Sequence, residues 1–195
     1  MISYIRRMNI PIWLGGDKMK RFCCFILVLS LALSIFGCTV KNDDDNEKKA
    51  PNAEAGIIGY VINKQNEGIL VVSNEAQDFS STGGIEEYYN AIWFSNAPED
   101  IKVGDQVKVW FDFVRESYPG QSEIEHIEVI SSPKSDGANL TESEALSKAL
   151  TSPEIKPNGL HVVKSIAYDK QADRWNMEIK EIWEEKIYHI QIQDN

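Results

Sequence analysis

The side chains that could take part in chemistry are few, and their spacing forms no familiar catalytic pattern. The 195-residue chain has three histidines, His126, His161 and His189, each in a segment that we predict to be a strand. It contains no His-Glu-x-x-His and no Gly-x-Ser-x-Gly motif, and the loop over residues 80–84 lacks the lysine of a phosphate-binding loop. We therefore expect a protein that is not an enzyme and that uses no metal ion or cofactor.

The net charge of the chain limits the classes of partner that we expect. It has 30 acidic and 20 basic residues, which give a formal net charge of −10. Contacts to phosphates supply most of the affinity for nucleic acid and need a basic surface, so we expect no nucleic-acid partner. The three cysteines, Cys23, Cys24 and Cys38, all lie near the start of the chain, which argues against a disulfide scaffold or a cysteine metal site.

Cys38 is the cysteine to which we assign a modification. It follows the basic pair Lys20-Arg21 and an apolar run over residues 22–36. That run is shorter than the roughly 20 residues of a spanning helix and is typical of a secretory signal. It ends in Ile-Phe-Gly-Cys, which resembles a bacterial lipobox with Cys38 as the lipidated residue. We predict a lipoprotein signal peptide over residues 19–37. A plain signal peptide and an uncleaved signal anchor are the alternatives.

Two segments flank this signal. Residues 1–18 precede it, and we interpret them as an upstream extension, with translation starting at either Met1 or Met19. Residues 38–55 are polar, contain Pro51 and show no apolar period, so we expect a flexible tether.

Residues 56–131 have the pattern of a small β-domain. Short apolar runs alternate with turn residues, which predicts five strands with glycines in the early ones, hence a partly open OB-like barrel. The apolar phase of the last strand slips, and a bulge near Glu125-His126 would restore it. The predicted strands are Gly56–Ile62, Ile69–Val72, Ala91–Ser95, Gln106–Phe113 and Ser122–Ile130.

Residues 132–137 form a linker by composition, and residues 138–195 predict a small α+β domain. Thr141 and Glu144 have the spacing of a capping box that begins a helix. Three strands follow, so the simplest arrangement is one helix packed on a three-stranded antiparallel sheet, a layout similar to a PepSY-type unit. The predicted strands are Leu160–Tyr168, Arg174–Lys180 and Lys186–Ile192. The fold class is therefore mainly β with a small α+β unit.

Aromatic side chains of the barrel are the candidate binding residues. Trp93 alternates with Ile92 and Phe94, and Trp110 with its apolar neighbours, so we predict both tryptophans on the outer face of neighbouring strands. Such rings could stack on sugars, bases or side chains of a partner, or could simply pack the domain. The candidate face comprises Tyr88, Tyr89, Trp93, Trp110 and Tyr118.

Several strings in residues 56–131 resemble the YobA-like family of secreted lipoproteins. The more specific ones are Ala-Ile-Trp-Phe-Ser-Asn-Ala-Pro and Glu-Ser-Tyr-Pro-Gly-Gln, beside Gly-Ile-Ile-Gly-Tyr-Val-Ile and Val-Gly-Asp-Gln-Val-Lys-Val-Trp-Phe. The resemblance implies an OB-type domain of unknown function and a place on the outer face of the cytoplasmic membrane of a Gram-positive-type envelope. It implies no reaction.

Two functional hypotheses remain open at the level of the sequence. One is a membrane-anchored, extracytoplasmic binding module of unknown ligand, whose partner is an envelope protein, a peptide or a neutral glycan. The other is a regulatory protein whose C-terminal PepSY-like unit inhibits or escorts an envelope enzyme. In both, the lipid on Cys38 attaches the chain to the membrane, and we expect a monomer.

The lipidation prediction can be tested by substitution. Replacing Cys38 by Ser removes the thiol that would carry the lipid, so we expect loss of lipid labelling and release from the membrane fraction. The matched control is Cys24→Ser, because Cys24 lies within the apolar run. We expect this variant to keep both its lipid labelling and its association with the membrane. Lipid labelling that persists in the Cys38 variant would contradict the assignment.

Overall fold

A computed structural model describes residues 54–132 and 134–195. The predicted extension, signal peptide, lipidation site and nearly all of the tether lie outside the described residues. The described residues belong to one compact unit that runs from Lys48 to Asn195. Within them, no helix has both the length and the apolar character required to cross a membrane.

The first sheet is built from short strands separated by turns. A left-handed Asn66 closes the hairpin between β1 and β2, and Gly59 lies so close to β2 that a Cβ there would be 2.2 Å from the Val72 carbonyl oxygen. The strands are β1 Ile57–Gln65, β2 Gly68–Gln77, β3 Tyr88–Ser95, β4 Gln106–Trp110, β5 Gly120–Glu123 and β6 His126–Val129.

The strand order requires the first sheet to curl. It is β5-β3-β2-β1-β4-β6, so β5 and β6 lie at opposite edges although only Ile124 and Glu125 separate them in the chain. Ile124 N–H donates to Ser95 O on β3 at 3.3 Å, and Glu125 N–H donates to Trp110 O on β4 at 3.0 Å. These two residues therefore join the edges of the sheet, as in the partly open barrel that the sequence predicts.

The prediction of five strands is wrong in its last member. The segment predicted as one bulged strand, Ser122–Ile130, is two strands with different partners. β5 pairs parallel with β3, and β6 pairs antiparallel with β4. The break falls at Ile124-Glu125, next to the expected bulge, because the chain crosses there from one edge of the sheet to the other.

The interior of the first sheet is filled as the alternation predicts. Val107 and Val109 are buried, and Phe111 packs against the same cluster. Ile92 and Phe94 of β3 face the same interior. Period-two alternation therefore identified the inner face of these strands correctly.

The C-terminal part consists of one helix and a second sheet. Helix α1, Glu142–Leu150, begins at the capping box: Thr141 accepts from the Glu144 N–H, and the Glu144 carboxylate accepts from the Thr141 N–H. The strands are β7 His161–Asp169, β8 Arg174–Glu181 and β9 Lys186–Gln193, in the antiparallel order β7-β8-β9. The predicted fold class, mainly β with a small α+β unit, is confirmed.

The barrel and the C-terminal part share one hydrophobic core. The outer face of β1, β2 and β3 supplies one side of it, and α1 with the second sheet supplies the other. Polar contacts anchor α1 at the rim: Tyr60 donates to Glu142 at 2.7 Å, and Ser143 donates to Asp105 at 2.6 Å. The members from the barrel are Tyr60, Ile62, Leu70, Val72, Tyr89 and Ala91, and those from the C-terminal part include Leu146, Val162, Trp175, Ile179 and Ile190.

A substitution at Gly104 tests this packing, because Gly104 lies where the barrel contacts α1. Its φ is +98°, and a Cβ would lie 2.3 Å from the Ser143 carbonyl oxygen. We expect Gly104→Ala to lower the free energy of unfolding by about 1–3 kcal/mol for the backbone strain and by about 1–3 kcal/mol more for the clash. The measurement is urea unfolding.

The matched control is Gly83→Ala. Gly83 also has a positive φ, +83°, but nothing lies within 4 Å of a Cβ placed there. We expect Gly83→Ala to lower the free energy of unfolding only by the contribution of backbone strain, because the new methyl group clashes with nothing. Equal destabilisation by the two substitutions would mean that α1 does not pack on this turn.

Candidate binding face

Four aromatic rings contact one another in a row at the surface. Phe79 and Tyr88 have ring centroids 5.5 Å apart, Tyr88 and Tyr118 5.6 Å, and Tyr118 and Trp183 5.3 Å. The two end members are open to solvent, with 43% of Phe79 and 58% of Trp183 exposed. We call Phe79, Tyr88, Tyr118 and Trp183 the aromatic ridge. Three of its rings come from the barrel, and Trp183 comes from the hairpin between β8 and β9.

A closed loop holds the first ring of the ridge. Phe79 N–H donates to Ile85 O at 3.0 Å, and Gly84 N–H donates back to Phe79 O at 2.9 Å. The Asp78 carboxylate accepts from the Ser80 N–H at 2.8 Å. A hydrogen bond from the Ser80 side chain, and then the one from its N–H, lower the pKa of Asp78. A Cβ on Gly84 would lie 2.7 Å from the Cβ of Phe79, so the loop closes only with a glycine at that position. Phe79 is thus presented by an ordered turn.

Tyr118 connects the ridge to the shared core. Its hydroxyl donates to Tyr89 O on β3 at 2.9 Å, and its ring packs against the shared core. Burial, with a smaller contribution from the neighbouring Tyr88, raises the pKa of Tyr118 to about 12. The hydroxyl therefore stays protonated over the physiological range and remains a donor.

Trp183 is fixed by the hairpin that carries it. The Glu184 N–H donates to the buried Glu181 carboxylate at 2.5 Å, and Glu185 adopts a left-handed φ of 51°. Lys156 forms an ion pair with Glu184 and so ties the hairpin to the segment before β7. The indole is exposed, but the backbone beneath it is held at several points.

Beside the ridge lies a compact charge cluster centred on Glu87. Its carboxylate accepts from Lys164 of β7, from Lys180 of β8 and, at 2.5 Å, from the Tyr89 hydroxyl. The two lysines, and then the tyrosine, lower the pKa of Glu87 to about 2. This cluster joins the barrel to the second sheet and places two cations around one anion in an otherwise acidic molecule.

The structure corrects the composition of the predicted binding face. Tyr89 is 2% exposed and lies in the shared core, and Trp110 is 8% exposed, with its ring 5.0 Å from that of His126. Trp93 is half-buried against the shared core. The predicted adjacency of the strands that carry Trp93 and Trp110 is wrong, because β1 and β2 lie between β3 and β4. Tyr89 and Trp93 are covered because the C-terminal part packs on the outer face of β3.

Only Tyr88 and Tyr118 of the predicted set belong to the ridge. Trp93 instead lines a separate cleft of about 380 Å³, together with Phe113 and Arg115. Phe79 and Trp183 were missed. A signal for Trp183 was present, since a tryptophan among the acidic residues of a predicted hairpin turn has no core to fill.

The described residues contain no group of three or more His, Cys, Asp or Glu side chains arranged to hold a metal ion. The face presents exposed aromatic rings beside an ion cluster centred on Glu87.

Comparison with known proteins shows what the barrel is similar to. A family described as a protein of unknown function, DUF3221, matches residues 58–131. The uncharacterized protein YobA of Bacillus subtilis (strain 168) is 28% identical over 116 residues, covering 54% of this chain and 93% of that protein. Residues 58–131 are similar to this family, and we refer to them as the YobA-like domain. The resemblance seen in the sequence is confirmed for this domain.

The comparison also includes one solved structure and the residue at which the family match ends. The crystal structure of a YobA protein from B. subtilis subsp. subtilis str. 168 is 23% identical, has a TM-score of 0.31 and covers 42% of this chain and 99% of that one. The family model ends at residue 131, so α1 and the second sheet lie outside the YobA-like domain. The PepSY-like layout of that part stays a prediction.

The charge cluster predicts a pH-dependent stability. The pKa of Glu87 is about 2 in the folded chain against an ordinary value of 4.5, so its contribution is complete above pH 4.5 and is lost as the pH falls toward 2. We expect Glu87→Gln to destabilise the protein at pH 7 and to have less effect at pH 3. Because the carboxylate is partly exposed, screening by solvent keeps the difference small.

The measurement is urea unfolding of both proteins at the two pH values. Glu86→Gln, an exposed neighbour, is the matched control and should show little effect at either pH. If Glu87→Gln lowered the free energy of unfolding equally at pH 7 and pH 3, the lowered pKa assigned to Glu87 would be contradicted.

Proposed function

We propose that the protein is a non-catalytic binding module, held at the outer face of the cytoplasmic membrane by a lipid on Cys38, that presents the aromatic ridge to an envelope ligand. The observation that carries this proposal is the exposure of Phe79 and Trp183 at the two ends of a row of contacting rings. Large aromatic side chains held open to solvent on a fixed backbone are typical of recognition surfaces.

The usual ligand surface of an OB-type barrel supports this location indirectly. Such barrels bind ligands on the face of strands 2 and 3 and on the loops beside it. Here that face contributes Leu70, Val72 and Tyr89 to the shared core. The loops beside it remain accessible, and they supply Phe79 and Tyr118 of the ridge.

A neutral glycan is the ligand class that fits the ridge best. Pyranose rings have an apolar face that stacks on aromatic rings and hydroxyl groups that need acceptors. The exposed carboxylates of Glu86 and Glu185 lie next to the ridge in the chain and can accept from hydroxyl groups. A polyanion is disfavoured because the chain is strongly acidic. The lysines described near the ridge are already paired: Lys164 and Lys180 with Glu87, and Lys156 with Glu184.

The alternative of a regulatory C-terminal unit receives less support. An inhibitory or escorting arm would need an apolar face free for its partner. Instead Leu146, Val162 and Ile179 are fully buried, or nearly so, against the barrel and one another. The C-terminal part thus acts as a component of the module, and its main contribution to the ligand face is Trp183.

Binding to cell-wall glycan tests the proposal. We expect the full chain in detergent to co-sediment with insoluble, protein-free cell-wall glycan, and Trp183→Ala to weaken this about 30-fold, which corresponds to about 2 kcal/mol for an aromatic hot spot. Co-sedimentation over a range of glycan concentrations gives the apparent affinity.

Phe113→Ala is the matched control, because Phe113 is an equally exposed aromatic residue, at 65%, outside the ridge. It lines the cleft beside Trp93, so a loss confined to this variant would move the site to that cleft. No sedimentation of the unmodified chain, or equal binding by Trp183→Ala, would refute the glycan ligand.

A further inference from the structure

Strand β9 forms an open edge of the second sheet. Asp194 N–H donates to Asp173 O at 3.2 Å toward β8, and Ile182 N–H donates to Leu160 O at 2.8 Å toward β7. Together with the pairing register of β8 and β9, these two bonds show which residues of β9 direct their backbone N–H and C=O groups toward β8 and which direct them away. The even-numbered residues of β9 bond to β8. The odd-numbered ones, Ile187 to Gln193, direct their N–H and C=O groups away from the sheet.

This edge lacks the features that normally block pairing. Residues 187–193 read Ile-Tyr-His-Ile-Gln-Ile-Gln, with no lysine, arginine, aspartate or glutamate, no proline and no glycine. Exposed edges are usually blunted by lysines, prolines, bulges or short length. β9 has eight residues and pairs with β8 without a register shift.

The other edges of the described sheets are blunted. β5 and β6 have four residues each. β7 is interrupted by a register shift between Val163 and Ser165, with Lys164 at the break. Among the strands that the structure describes, β9 is thus the long edge with regular pairing. Its one lysine, Lys186, is the first residue of the strand, and its ammonium lies over the Tyr188 ring at 4.2 Å.

We propose that β9 pairs antiparallel with β9 of a second copy of this chain, so that two three-stranded sheets become one continuous sheet. A register centred on Ile190 places Ile187 opposite Gln193 and His189 opposite Gln191. These are the residues whose backbone groups point outward. The Gln193 C=O already accepts from the Asn195 N–H at 3.0 Å and has a second lone pair for the partner strand. No like charges oppose each other in this register.

In the same register, the core-facing side chains of β9 in one copy lie opposite the core-facing side chains of β9 in the other. Tyr188 lies opposite Ile192, and Ile190 lies opposite its counterpart in the second copy. All three side chains belong to or pack against the shared core, so the apolar layer beneath the sheet continues from one copy to the next. The self-complementary sequence therefore favours a second copy over an unrelated strand.

The dimer departs from the monomer expected from the sequence and does not depend on the proposed ligand. It joins two chains without using the aromatic ridge, since Trp183 lies in the hairpin loop that precedes β9. Two ridges on one dimer would raise the apparent affinity for a repetitive ligand through effective concentration.

The test uses a proline that removes one outward N–H. Gln191→Pro leaves the bonds to β8 in place, because the Gln191 N–H points away from β8. Gln191→Ala is the matched control: it removes the same contact to Arg174 but keeps the N–H. Sedimentation equilibrium of the full chain in density-matched detergent gives the mass, and circular dichroism reports the fold.

We expect the unmodified chain and Gln191→Ala to form a concentration-dependent dimer, and Gln191→Pro to have at least a tenfold weaker dimer constant. If the proline variant does not fold, Gln191→Lys places a charge at the same edge and should weaken the dimer in the same way. A monomer at every concentration, or a dimer that a folded edge variant leaves unchanged, overturns the proposal.

Discussion

The burial of the outer face of β1, β2 and β3 under α1 and the second sheet is the interaction on which the rest of the structure depends. Small domains bury a limited fraction of their surface, so each partner gains buried apolar surface by packing on the other. The barrel interior holds a separate cluster around Val61, Val71 and Val107, while the larger cluster lies between the barrel and the C-terminal part. Tyr60–Glu142 and Ser143–Asp105 fix the helix at the rim, and Glu87 with its two lysines fixes the second sheet on the barrel. The YobA-like domain in this chain is therefore half of one folded unit.

This packing decides where a ligand can bind. It covers the outer face of β2 and β3, and it brings the β8–β9 hairpin beside the loops of the barrel, so that Trp183 contacts Tyr118. The aromatic ridge exists only because both halves contribute to it. The same packing leaves β9 at the outer edge of the second sheet, where we propose that it pairs with another copy. The proposed recognition and the proposed self-association thus use different surfaces that follow from one arrangement.

The sequence predicted what depends on local pattern. The capping box at Thr141, the three C-terminal strands and the buried Val107–Val109 face were identified because helix caps and period-two alternation act over a few residues. It could not predict that Ser122–Ile130 divides between two edges, because that depends on how the sheet curls. Nor could it place Tyr89 and Trp110 inside, since alternation distinguishes two faces of a strand but does not show that both are covered. Trp183 was overlooked because its partner Tyr118 is 65 residues away in sequence.

Native-state hydrogen exchange in increasing denaturant tests most directly whether the two halves form one unit. The informative amides are those of Val61 and Val71 in the barrel and of Val162 and Ile179 in the second sheet, all fully buried. A shared core predicts that their opening free energies converge on one value and decrease with one denaturant slope, because neither half can open without exposing the other. Opening of Val162 and Ile179 at distinctly lower free energy, with the barrel amides still protected, would show that the C-terminal part folds and unfolds separately and would contradict the account.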